Sequence, residues 1–246
     1  MDYQTACCLR YTQDMTFQLL SVESDAKTKK GSKEGVLTGV LYLAPAKEAD
    51  GIHDLCAMAT DECRFACLYG SGMAGIFPSI KAARIQKTLL YLNDRITFVA
   101  LLRADIHLLI HKATERGMIP AVRINGTSDQ PQLARELAEA FPTIQFYDYT
   151  KIPAPWKRTL PNYHLTFSFS GKNLADCMAA LAHGINVAVV FPDAHFPATW
   201  QDRPVINGDA SDLRFRDAIG VVVELKAKGE ARKLTAGGFV QIGESA

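Results

Sequence analysis

Seven short apolar runs, separated by stretches of helical periodicity, constrain this chain more than any other feature of its sequence. In order they are Val36 to Leu43, Ile119 to Ile124, Ile144 to Tyr147, His164 to Phe169, Val187 to Phe191, Pro204 to Ile206 and Gly220 to Leu225. VAVVF and GVVVEL are apolar at successive positions, so such strands must be covered on both faces, as in a parallel sheet. Between the runs the spacing predicts a long helical region from Phe77 to Arg116, broken near Asn93 and Asp94, a helix over Gln130 to Ala140 and another over Asn173 to His183. Gly117 and Gly184 stand where a left-handed residue ends a helix. The expected fold is α/β, a TIM-barrel-like parallel barrel, complete or partial, forming one domain over residues 36–246. Residues 1–35 are expected to form an N-terminal extension, with a strand at Met15 to Val22 followed by SDAKTKKGSKEG, read as a mobile basic loop. That loop lacks the spacing of a phosphate-binding Walker motif.

Composition sets the broad class. An apolar content of 48% excludes a disordered chain, and a net charge of +1 gives no bulk field toward nucleic acid or an acidic membrane. No run approaches the roughly 18 apolar residues that span a bilayer, and the polar N-terminal residues do not read as a secretory signal. A cytoplasmic location without membrane association is expected. A chain of this length buries enough apolar surface to need no disulfides, which leaves its six cysteines available for chemistry.

Three of those cysteines, Cys56, Cys63 and Cys67, fall within twelve residues, with six residues between the first pair and three between the second. Thiolates suit zinc and iron–sulfur clusters. Zinc ordinarily closes with a fourth ligand, whereas three cysteines can hold three irons of a [4Fe–4S] cluster and leave one iron open. The cluster is the leading expectation, with zinc and unligated or redox thiols as alternatives. The segment follows the first regular run, at the carboxyl end of a strand, where α/β folds place their chemistry. Cys7, Cys8 and Cys177 are read as buried, each able to serve as a fourth ligand.

Polar residues collect after the other runs. RINGTSD supplies Arg123, Asn125, Thr127 and Asp129; QFYDYTK supplies Asp148, Tyr149 and Lys151; SFSGKN supplies Ser168, Ser170, Lys172 and Asn173; NGDASD supplies Asn207, Asp209 and Asp212; and LKAKG supplies Lys226 and Lys228. In a parallel sheet these converge on one end, as a pocket for a polar ligand. Asp129, Asp148 and Lys151 are the candidate proton-transfer groups. Arg123, Asn125, Thr127, Ser168, Ser170 and Asp209 are the candidate cofactor-binding residues. Each has a bland reading as turn or cap chemistry. His107 and His111 share a helical face but lack a third metal ligand, His164 reads as a core histidine, and Trp156 and Trp200 read as cover for a core edge that could also stack on a base. GxSxG and GxGxxG motifs are absent.

The phrases LYLAPA, ACLYG, KAARIQKT, RINGTSD, QFYDYTK, YHLTFS, INVAVVF, GDASDLRF and LKAKG, spread from about Gly35 to the C-terminus, resemble the gene-product-88-like family of phage and plasmid proteins. That resemblance implies a mobile-element origin and a shared set of cysteine and strand-end residues, and no activity. The three-cysteine loop after the first strand of a parallel barrel also resembles the architecture of radical S-adenosylmethionine enzymes, whose usual spacing is three and then two intervening residues. It implies Cys56, Cys63 and Cys67 as cluster ligands, S-adenosylmethionine as cofactor, and Asn125, Thr127, Asp148 and Ser168 on the methionine and ribose side.

The leading expectation is therefore an iron–sulfur protein of a mobile element, a radical S-adenosylmethionine-like enzyme acting on a polar or nucleotide substrate. One rival is a non-enzymatic nucleic-acid or host-factor binding protein with a structural cluster or zinc, its phosphate contacts supplied by Lys27, Lys29, Lys30, Lys33, Lys226 and Lys228. The other is a metal-free hydrolase or transferase using Asp129, Asp148, Asp209 and Lys151.

Overall fold

The computed structural model describes residues 17–23, 26–67, 69, 75–192 and 197–242. Its strands, in chain order, are β1 (Leu20–Val22), β2 (Val36–Leu41), β3 (Ile119–Arg123), β4 (Gln145–Thr150), β5 (Tyr163–Ser168), β6 (Val187–Phe191), β7 (Thr199–Trp200), β8 (Arg203–Asn207) and β9 (Val222–Lys226). They form one open sheet in the order β1-β2-β3-β4-β5-β6-β9-β8-β7. The seven strands from β2 to β8 in that order run parallel, and they are the seven apolar runs of the sequence. β1 and β7 are antiparallel additions at the two edges. β9 enters between β6 and β8, which departs from the consecutive winding of a (β/α)8 barrel.

The helices are α1 (Ala26–Lys33), α2 (Asp61–Phe65), α3 (Pro78–Asn93), α4 (Arg95–Glu115), α5 (Pro131–Ala140) and α6 (Leu174–Ala182). α4 presents Phe98, Leu102, Ile106, Leu109 and Ala113 at intervals of three and four, and with Leu133 and Leu137 of α5 they cover Leu37, Leu41, Val122, Phe146 and Leu165. Each fully buried leucine or isoleucine in that layer contributes about 1.5–3 kcal/mol. Cys177, Ala180 and Leu181 of α6 cover Phe167, Val187, Val189 and Val222 on the same face. The break between α3 and α4 falls at Asp94, whose carboxylate accepts the Thr97 N–H at 3.0 Å and caps α4.

The opposite face is covered differently. Leu213 and Phe215, from the segment after β8, pack on Val36, Ala121 and Tyr147, while Ala231, Phe239 and Val240 near the C-terminus pack around Val190. The segment after β8, one strand in from an edge, thus reaches β2 near the other edge. Lys30 donates to the Asp209 carbonyl at 2.8 Å and Ser211 to Glu34 at 3.2 Å, extending that bridge.

The stretch read as a mobile basic loop is corrected where it is described: residues 26–33 form α1. Lysine favours helix, Thr28 is buried, and Gly31 faces Leu213, whose side chain would lie 3.4 Å from an added Cβ. Its ordering comes from a contact far along the chain, invisible to local composition. Of the strand expected at Met15 to Val22, residues 15 and 16 lie outside the described residues, as do Cys7, Cys8 and the Lys27 side chain. Among the described residues no helix is long and apolar enough to cross a membrane.

Candidate functional site

A cavity of about 270 Å³ opens at the carboxyl ends of the parallel strands. The segment after β2 brings Cys56, Cys63 and Cys67 to it, β3 and its loop bring Arg123, Asn125, Thr127 and Asp129, and β4 brings Tyr149 and Lys151. Ser128 and Thr150, Ser168 of β5, Asp209 and Asp212 after β8, and Lys226 and Lys228 of β9 and its extension add to the polar lining.

The cysteine segment is pinned on three sides. The Leu55 carbonyl accepts the Asp129 N–H at 2.9 Å, and the Cys56 thiol faces the Thr127 carbonyl at 3.6 Å. Thr60 caps α2 by accepting the Cys63 N–H at 3.2 Å while donating its hydroxyl to the Ser170 carbonyl at 2.9 Å. Glu62 accepts the Phe239 N–H at 2.9 Å, and Arg64 pairs with Asp54 at 2.9 Å. Cys63 therefore sits on a short helix tied to the β5 loop and to the C-terminal segment. Burial pushes the Cys56 thiol up to about 11 and raises Cys67 as well. Burial works against the Lys151 ammonium, but Cys63, to which it hydrogen-bonds, Asp129 and Cys56 outweigh that cost and strengthen its hold on the proton.

Among the described residues no three His, Cys, Asp or Glu side chains are grouped to hold a metal ion. The three thiols share a cavity wall without forming the tight shell of a tetrahedral zinc site. Cys177 lies in the α6 core, away from that wall.

The strand-end residues divide by task. Arg123 pairs with Asp212 at 3.1 Å and lies over the Tyr149 ring at 4.7 Å; burial opposes its charge, and Asp212 more than offsets that. Asn125 accepts the Gln130 N–H at 2.7 Å and the Ser128 hydroxyl at 3.2 Å, fixing the turn into α5. Thr127 donates to the Leu43 carbonyl at 2.6 Å. Asp129 accepts the Thr150 hydroxyl at 2.9 Å and the Lys151 N–H at 2.7 Å, and burial raises its affinity for a proton. Ser170 is buried off the cavity, its N–H given to Asn173 at 2.7 Å.

Asp148 is also not brought to the cavity. β4 runs on to Thr150, so Asp148 shares the helix-covered face with Phe146 and Thr150, while Tyr147 and Tyr149 face the other way. It accepts both the N–H and the side-chain amide of Asn125, at 2.7 and 3.0 Å, and the Tyr163 hydroxyl at 3.1 Å. Burial pushes its carboxyl up to about 7.

The remaining candidates serve packing. His107 meets the Phe141 ring edge-on and His111 pairs with Glu115. His164 has no partner for Nε2 among the described residues, and burial followed by Arg214 pushes it down to about 4, leaving it neutral. Trp156 stacks on His183 at 3.9 Å, and Trp200 is buried against Phe169. Sequence reasoning missed Thr150, which holds Asp129, and Ala231 and Phe239, which wall the cavity from a segment without regular periodicity.

A family model described as Gene product 88 matches residues 18–241. The chain belongs to the gene product 88 family. The match spans β1, every parallel strand and the whole cavity lining, so the cysteine segment is part of the gene product 88 domain. No curated protein and no solved structure matches this gene product 88 chain, and the comparisons lend no support to the radical S-adenosylmethionine resemblance.

Proposed function

We propose that this gene product 88 protein carries an iron–sulfur cluster on Cys56, Cys63 and Cys67 and acts on a small polar or nucleotide-like substrate in the cavity beside it. The observation that carries this reading is the placement of all three thiols on the wall of one cavity at the carboxyl ends of the parallel strands, alongside Lys151 and Arg123. Thiolate ligands, three of them on one wall, are the donor type that iron–sulfur clusters take. A [4Fe–4S] cluster there would supply an electron and an open iron for a ligand such as S-adenosylmethionine. Lys151 hydrogen-bonds Cys63 through its ammonium and so sets a fixed positive charge beside the proposed ligands. Asp129, partly buried and hydrogen-bonded to Thr150 and Lys151, is the lining carboxyl best placed to exchange a proton with a bound ligand.

The sheet is read as an incomplete TIM-like barrel. Helices α4, α5 and α6 lie on one face, and the segment after β8 spans the other to reach α1 and β2. In such a sheet the carboxyl ends surround a common ligand site. Serine replacement of each cysteine in turn tests the assignment: every variant should lose most of its iron during purification without oxygen. Full iron retention in all three would end it.

The second reading is a binding protein of a mobile element with a structural metal site. Lys29, Lys30 and Lys33, exposed on α1, lie on the side of the molecule where Lys30 and Lys228 meet at Asp209. It predicts nucleic-acid affinity that falls steeply with salt.

A further inference from the structure

The GDASD turn after β8 gathers cations from three separate parts of the chain. Asp209 Oδ1 lies 2.8 Å from Lys228 Nζ, its Oδ2 accepts the Lys226 N–H at 3.2 Å, and its carbonyl accepts Lys30 Nζ at 2.8 Å. Three residues on, Asp212 holds Arg123. The turn has little latitude, because the Gly208 N–H donates to the Glu224 carbonyl at 2.9 Å and any Cβ at Gly208 would overlap that oxygen. The two aspartates are thus spent on fixing cations in place along the cavity.

Two buried donors belong to lining residues. Arg123 Nε and Tyr149 Oη, both shielded from solvent, have no hydrogen-bond partner among the described residues. Burial keeps the Tyr149 hydroxyl protonated and so a donor. A buried donor left unsatisfied costs about 1–3 kcal/mol, and an oxygen-rich anion is the group that would recover it while facing fixed cations. Glu224 neighbours Asp209 and Lys226, but burial pushes it up to about 7, which weakens it as a competing negative charge.

We propose that this end of the cavity is a phosphate subsite, and that the cavity's ligand is a phosphorylated small molecule. Its phosphate meets Lys228, Lys226 and the Arg123 and Tyr149 donors, and its body extends toward Lys151 and the cysteines. This deepens the preceding reading by naming the ligand class, and rests on it only in taking the cavity as the ligand site.

Calorimetric titration of the full chain with inorganic pyrophosphate at fixed ionic strength tests the subsite. The wild type should bind, and a Lys226→Gln/Lys228→Gln variant with an unchanged urea midpoint should bind about tenfold or more weakly, equivalent to 1.4 kcal/mol. A Lys228→Gln single variant, altered only at an exposed side chain, should show part of that loss. Absence of wild-type binding, or equal binding by wild type and both variants, overturns the proposal. So does salt-sensitive binding of duplex DNA that pyrophosphate does not displace. Iron is quantified in the same samples: binding without iron counts against the cluster alone, and iron without binding counts against the phosphate subsite alone.

Discussion

Arg123 Nη1 and Asp212 Oδ2 meet at 3.1 Å although one residue ends β3 and the other follows β8, far along the sheet order. The pair ties the two sides of the face that carries no long helix, with both side chains largely buried. Asp212→Asn leaves the guanidinium buried without its counter-charge and should cost about 3–5 kcal/mol in urea unfolding. Arg123→Met combined with Asp212→Leu should recover much of that loss; a double variant as unstable as the single one would show that the pair itself is not what the cavity wall depends on.

Asp148 and Glu224 give stability a defined pH dependence. Burial pushes each carboxyl up to about 7. In acid, below the carboxyl values of the unfolded chain near 4, both states are protonated and the contribution is complete. Between about 4 and 7 the unfolded chain has lost protons that the folded state still holds, so stability falls as pH rises, with a limiting slope of about 1.4 kcal/mol per pH unit for each group, and levels off above about 7. Asp148→Asn should remove one part of that slope and Glu224→Gln the other. Identical pH profiles for wild type and the double variant would contradict the assignment.

Thr60 links the cysteine helix to the rest of the site. Thr60→Val removes the cap of α2 and the bond to the Ser170 carbonyl, an expected loss of about 1 kcal/mol. Because α2 is short, most of that loss should be local, seen as faster amide exchange at Cys63 and weaker metal retention with a nearly unchanged global unfolding midpoint.

Gly126→Ala probes the loop floor. An added Cβ would lie 2.6 Å from the Tyr42 ring and 2.8 Å from the Leu41 carbonyl, so the β2 and β3 ends must part. The expected cost is about 1–3 kcal/mol by denaturant unfolding. A neutral result would mean that Tyr42 swings clear and that the backbone has slack there.

These contrasts explain what was legible in the sequence. Inner strands such as β2 and β6 were readable because they are buried on both faces and therefore apolar at successive positions, whereas β8, with no fully buried residue, was readable only as a short apolar run. The cysteine segment and most strand-end polar residues were readable from their place after those strands. Asp148 was not, because ending the strand at Tyr147 puts it in a loop, whereas continuation to Thr150 fixes its parity on the helix side. The Asn125–Gly126 pair looked like turn chemistry; in the structure Gly126 is required by close approach to Leu41 and Tyr42, a contact between strands. α1 and the Phe239 wall depend on partners distant in the chain, and local pattern carries no trace of them.

The central claim is tested most directly by the iron, sulfide and zinc content and visible spectrum of the full chain purified without oxygen. The account predicts about four irons and four sulfides per chain with a charge-transfer spectrum that disappears when Cys56, Cys63 and Cys67 are replaced together. One zinc and no iron would contradict it and reassign the cysteine segment to a structural role.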